Sequence, residues 1–192
     1  MEITKDMIAD AAISVLKRGG IESLTMRSLA RELDIKAASL YWHIKGKNDL
    51  YNLIAEKISS GIEPSCSMKD PKKYLIQSAK LYREKMLEVR DSVEIFTQSA
   101  PVTRQRLELI KNCMICLLHI GVSESNCIIA ANMFNNYITA FVADEMRRAA
   151  FSNTETSNPF SSILGVDLKL MSGDDMFLRG LEVLFAGFKI LN

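Results

Sequence analysis

Histidine is scarce in this chain of 192 residues, which has two, His43 and His119. With so few imidazoles there is no Ser–His–Asp or Cys–His arrangement to build a nucleophilic enzyme on. A glycine-rich phosphate cradle is missing, as is any HExxH-type metal motif. Four cysteines (Cys66, Cys113, Cys116 and Cys127) do not make a disulfide framework at this length. No signal peptide and no apolar run long enough to span a bilayer is evident, so the expected setting is soluble, reducing and cytoplasmic, without a membrane partner. Strand-like alternation and internal repeats are also lacking, which leaves an all-α chain. No catalytic residue, cofactor or resident metal is expected.

The formal net charge is only +1, yet it is unevenly spread. Thr25 to Lys47 carries five basic residues against two acidic ones, whereas Met1 to Leu24 carries three against four. Apolar residues recur with a helical period at Ile8, Ala11, Ala12, Val15 and Leu16, after Thr4 as N-cap and before Gly19-Gly20 as terminator. Thr25 caps a second helix that buries Met26, Leu29, Ala30 and Leu33. Asp34 turns the chain, because aspartate tolerates a left-handed backbone better than most residues. A third helix is expected from Lys36 to His43, with Leu40 and part of Trp42 packed inward, and a fourth from Lys47 to about Ser60. Three short helices with a tight turn between the last two make a helix-turn-helix, whose final helix lies in the major groove. Lys36, Ala37, Ala38, Ser39, Tyr41 and His43 then face DNA, while Thr25, Arg27, Tyr41 and Lys47 suit phosphate. Taken singly, Tyr41 and Trp42 read equally well as core, and Lys45 and Lys47 as surface charge.

The segment Gly61 to Pro71 holds two prolines, two serines and a glycine and reads as a linker. The expected division is a helix-turn-helix domain at 1–46, a connecting helix and linker at 47–65, and a ligand-binding and dimerisation domain at 66–192. Helical patterns fill that last part, interrupted by an irregular loop from Ser152 to Ser172, and the final helix carries Phe177, Leu181, Leu184, Phe185 and Phe188 on one stripe. The helix from Ser123 to Ala149 and the last one are too apolar for one chain's own surface. Ala130, Ala131, Ala140, Ala143, Gly180 and Gly187 would admit close helix approach, so a homodimer with a four-helix interface is expected.

Gly20-Ile21-Glu22-Ser23-Leu24-Thr25-Met26-Arg27-Ser28-Leu29-Ala30 and Ser39-Leu40-Tyr41-Trp42-His43-Ile44-Lys45-Gly46-Lys47 resemble the N-terminal domain of the tetracycline-repressor (TetR) family, over about a third of the chain. The second half is similar to the family more weakly, at Arg90-Asp91 and at Phe177 to Phe188. The resemblance implies a ligand-responsive regulator that binds a palindromic double-stranded operator. It implies DNA contacts at Thr25, Arg27, Ala38, Ser39, Tyr41, Trp42, His43 and Lys47. Ala37 stands where tetracycline repressors have a base-reading Gln, so the operator sequence does not transfer. Phe96 stands at the metal-ligating His of those repressors, Ser78 at a pocket Asn, Ala100 at a pocket Arg, and Glu63 near a pocket His. Phenylalanine cannot ligate a metal, so a tetracycline–magnesium effector is not expected. The implied lining is hydrophobic: Ser78, Tyr82, Met86, Phe96, Met114, Met133, Phe134 and Tyr137, with Gln98, Asn132 and Asn136 as polar anchors. Asp144 and Glu145 fall where the tetracycline repressors have pocket carboxylates from the partner subunit, and read equally well as surface residues at a helix end. Two alternatives stay open at this point. Cys113, Cys116 and His119, which spread over about 120° of one helix, could sense thiol chemistry or metal; or a constitutive DNA-binding dimer could sense nothing.

Overall fold

The computed structural model describes residues 3–151 and 172–192, with Ile163 and Gly165 between them. Among these residues the chain is all-helical. The helices are α1 (Lys5–Gly19), α2 (Met26–Glu32), α3 (Ala37–Leu40), α4 (Lys47–Ser59), α5 (Pro71–Leu87), α6 (Ser92–Gln98), α7 (Arg104–His119), α8 (Cys127–Phe151) and α9 (Gly173–Phe188). The irregular loop expected at Ser152 to Ser172 lies, but for three residues, outside those described.

The molecule divides into two compact units, Met1–Ile120 and Gly121–Asn192. Gly61 to Pro71 is a bend within the first unit, because α4 packs on α6 and α7 as well as on α1. The bend is also pinned: Gln77 Oε1 accepts from the Cys66 backbone N–H at 3.2 Å and from Ser65 Oγ at 3.3 Å.

Local chemistry explains where the first helices begin and end. Thr4 Oγ1 accepts from the Met7 N–H, and Gly20 leaves α1 at φ 70 with its N–H on the Leu16 carbonyl. Left-handed geometry costs glycine nothing. Thr25 and Ser28 form a reciprocal capping box at α2, worth about 1 kcal/mol. Asp34 does turn the chain, at φ 52. The three helices close on Ile8, Leu16, Leu29, Leu40 and Ile44, all fully buried. Lys57 on α4 pairs with Asp6 at 2.7 Å and Asp10 at 3.0 Å on α1.

In the second unit α8 and α9 meet through aromatic rings. Tyr137 stacks on Phe177 with centroids 5.6 Å apart, and Phe134 lies 6.1 Å from Phe185. Gly180 makes this approach possible. A Cβ there would come within 2.0 Å of the Tyr137 hydroxyl, which instead donates to the Phe177 carbonyl at 2.8 Å.

Candidate DNA-binding and effector sites

The third helix is shorter than expected, because only Ala37 to Leu40 are helical. Beyond Leu40 the chain tightens, with the N–H groups of His43 and Ile44 both bonded to the Leu40 carbonyl at 2.9 Å. That turn decides which side chains go inward. Leu40 and Ile44 plug the core, and Trp42, expected to be partly packed, is 89% exposed. Tyr41 beside it is 60% exposed. The core reading of these two rings is thereby overturned.

The other expected DNA-facing residues share this end of the molecule. Thr25, Arg27, Lys36, Ala38, Ser39 and Lys47 are exposed, and Ala37 and His43 are half-buried. Thr25 Oγ1 is engaged with the Ser28 N–H at 3.1 Å, so it serves the α2 cap first. Lys47 opens α4, where unpaired N–H groups and the helix dipole favour an anion. Asp49 fixes that entrance by accepting from the Lys45 N–H at 2.9 Å. The arrangement is a rigid helix-turn-helix that presents two aromatic rings, three cations and a hydroxyl to solvent. It has the chemistry to hold phosphates and touch base edges.

The residues expected to line an effector pocket divide between the units. In the first, Ser78 is half-buried and donates to the Tyr74 carbonyl at 2.9 Å, and Met114 is half-buried. Met86 is fully buried and Phe96 nearly so. Tyr82 meets Phe96 edge-on at 5.3 Å, and burial pushes its hydroxyl well above the ordinary tyrosine range. In the second unit Phe134 and Tyr137 belong to the α8–α9 aromatic stack just described, while Met133 is 45% exposed. The polar anchors Gln98, Asn132 and Asn136 are exposed, and Asp144 accepts from Arg147 at 2.7 Å.

One buried residue was not anticipated. Arg106, in the first turn of α7, is 9% exposed. Its Nη1 donates to Ser99 Oγ at 2.9 Å and to the Ala100 carbonyl at 2.7 Å, and the guanidinium lies 5.2 Å from the Phe96 ring centroid. Glu56, reaching from α4, accepts from the Gln105 N–H at 2.8 Å and the Arg106 N–H at 3.4 Å. Asp91, itself left-handed at φ 58, accepts from the Ile21 N–H at 2.7 Å. The segment between α1 and α2 is thus hydrogen-bonded to the start of α6, and α4 to the start of α7.

Cys116 is fully buried, and burial pushes its thiol above the usual cysteine range, as it does for Cys127. That is the environment of an inert core thiol. Among the described residues no three His, Cys, Asp or Glu side chains converge on a metal position. His119 instead borders an open depression of about 520 Å³ with Ser67, Met68, Lys69 and Pro71.

An all-helical chain with an exposed, cationic helix-turn-helix at one end belongs to the class of DNA-binding regulators. Comparison with known proteins then fixes the family. The family model described as bacterial regulatory proteins, tetR family, matches residues 8–54, and that described as tetracyclin repressor-like, C-terminal domain, matches residues 69–191. The chain belongs to the TetR family of transcriptional regulators, and is not an enzyme. It is 25% identical over 197 residues to the class D tetracycline repressor of Escherichia coli, covering 98% of this chain and 90% of that one. Its fold is similar to that of Streptomyces coelicolor ActR in complex with actinorhodin, with TM-score 0.83, 23% identity and coverage of 99% and 98%. It is also similar to BioQ with its natural double-stranded DNA operator, with TM-score 0.71, 24% identity and coverage of 97% and 98%. No helix among the described residues is long and apolar enough to cross a membrane.

Proposed function

We propose that this regulator is a homodimeric repressor that leaves a palindromic operator when a small hydrophobic effector binds. The observation that carries the DNA-binding half is the exposure of Tyr41 and Trp42 beside Lys47. Two large rings held in water by a rigid scaffold have no use in a monomer's core and suit a groove. The recognition surface is assigned to Thr25, Arg27, Lys36, Ala37, Ala38, Ser39, Tyr41, Trp42, His43 and Lys47. Reading two half-sites takes two such surfaces. The second unit supplies apolar side chains for a partner, since Ile128, Ile129, Met133 and Val183 are all at least 45% exposed.

The effector half draws on Ser78, Tyr82, Met86, Phe96 and Met114 in the first unit, with Met133, Phe134 and Tyr137 held as further candidates. ActR, named above with actinorhodin, and the tetracycline repressors support a small-molecule effector. Release is read as a two-state shift: effector bound near α6 and α7 favours one position of α4, through Glu56, and of the helix-turn-helix, through Asp91.

The test is selection of bound sequences from a random double-stranded DNA library with the purified full chain. An enriched inverted repeat is expected, whose binding weakens steeply with salt. Failure to enrich any inverted repeat overturns the proposal. Native mass spectrometry of the protein on that repeat should give two chains per site; a single chain would overturn the dimer.

A further inference from the structure

We propose that Arg106 is a receptor for an anionic group, so that the effector of this protein is an apolar organic acid whose carboxylate meets Arg106 while its hydrocarbon body lies against Phe96 and Tyr82. The inference rests on the effector reading above and names its chemical class.

Three observations carry it. First, Arg106 is a cation more than nine-tenths buried, and no carboxylate lies within ion-pair distance among the described residues. Glu56 acts on the guanidinium electrostatically without an ion pair, whereas a buried charge is ordinarily paired directly, because its desolvation is otherwise poorly compensated. Second, its hydrogen bonding is lopsided. Nη1 holds both protein acceptors, Ser99 Oγ and the Ala100 carbonyl, while Nε and Nη2 have no partner among the described residues. Neither is sealed from solvent, as they are not among the buried polar atoms left without a partner. Those two nitrogens form one edge of the guanidinium fork, which matches the two oxygens of a carboxylate. Third, the cation sits in the first turn of α7, where the helix dipole is itself positive. Glu56 answers that dipole, but through the backbone N–H groups of Gln105 and Arg106 rather than through the guanidinium.

The surroundings define the rest of the ligand. Phe96 lies against the guanidinium, Tyr82 packs edge-on to Phe96, and Met86 is buried nearby in sequence on the same helix as Tyr82. Just before α7, Thr103 Oγ1 is buried without a hydrogen-bond partner among the described residues, a further polar atom for an oxygen-bearing ligand. Burial also pulls the Arg106 guanidinium below arginine's usual value, which an arriving anion would reverse.

The experiment is a titration of the full chain with 2-naphthoate and, separately, its uncharged counterpart 2-naphthamide, read at the ¹⁵N–¹H resonance of Arg106 Nε. The carboxylate is expected to shift that resonance saturably and to bind at least about ten-fold more tightly than the amide, as one charge-assisted bidentate contact provides. Arg106→Gln should abolish the preference. Arg106→Lys keeps the charge without the fork, and should keep the preference at reduced affinity, which guards against a glutamine variant that merely misfolds. No saturable shift from 2-naphthoate or benzoate up to about 10 mM, equal binding of the amide, or a preference that survives in Arg106→Gln overturns the inference. If the protein still selects an inverted repeat in any of those cases, the DNA-binding reading stands and only the effector class falls.

Discussion

The helix-turn-helix and the buried aromatic clusters of this protein use the same residue types in opposite ways. Around α3 the rings of Tyr41 and Trp42 stand in water, whereas around α6 and α8 the rings of Phe96 and Phe134 are withdrawn from it. Two adjacent rings left in water on one short turn are not explained by packing, and that is what makes them candidates for a partner surface. A buried ring is explained by packing whether or not a ligand ever reaches it. The first kind of site is legible from geometry; the second needs something that packing does not explain, which here is a charge.

That contrast can be broken from either side. The largest effect is expected at Phe134, where replacement by alanine should lower the unfolding free energy by about 3–5 kcal/mol, measured by denaturant melts. A loss below about 1 kcal/mol would mark Phe134 as a pocket residue that the core can spare. Next comes Gly180→Ala, whose methyl group collides with the Tyr137 hydroxyl, for an expected cost of about 1–3 kcal/mol. An unchanged melting temperature would show that α8 and α9 are not held as close as Tyr137 and Gly180 imply.

At the recognition end the pattern should invert. Tyr41→Ala and Arg27→Ala are expected to leave the melting temperature unmoved and to weaken operator binding by about 1–3 kcal/mol each. For Arg27 a uniform loss across operator variants, with a shallower salt slope, would make it a phosphate contact and not a base reader. Trp42, the chain's one tryptophan, reports the same surface optically. Its fluorescence should be quenched readily by iodide in the isolated protein and protected on operator binding; equal quenching with and without DNA would remove it from the interface.

The smallest effect concerns Arg18 and Glu32, an exposed pair joining α1 to α2. The hydrogen bond from Arg18 holds the Glu32 carboxyl below its ordinary value. A carboxylate whose folded pKa is depressed stabilises the protein above the unfolded pKa, and the contribution is lost as pH falls through the folded one. Glu32→Gln should therefore narrow the difference in stability between neutral and acidic solution very slightly, because exposed pairs are screened. A large change would mean that the pair is shielded from solvent.

How much of this was readable in the chain depends on whether a residue acts locally. Thr4, Thr25, Gly20 and Asp34 act on backbone within a few positions, and each does what its chemistry implies. The length of α3 was not readable, because the tightening after Leu40 is set by burying Ile44, a tertiary demand. Gly61 to Pro71 has linker composition, and its place inside the first unit follows from α4 packing on α1, α6 and α7, which no local pattern encodes. Arg106 was missed because arginine is presumed exposed. A signal was nevertheless present: α7 opens with Arg104 and Arg106 and has no acid in its first turn, the reverse of what a helix dipole favours. Such an imbalance leaves the first N–H groups of α7 without a local acid, and Glu56 supplies one from α4.

The hold of Glu56 on α7 has an evolutionary consequence. Because it grips main-chain N–H groups, no side chain at Gln105 or Arg106 is needed to keep it. Under the proposed role of Arg106, the side chain that meets the effector can therefore be exchanged while the joint between α4 and α7 stays whole. Effector choice and transmission would then be separable parts, so a substitution could change the first without rebuilding the second.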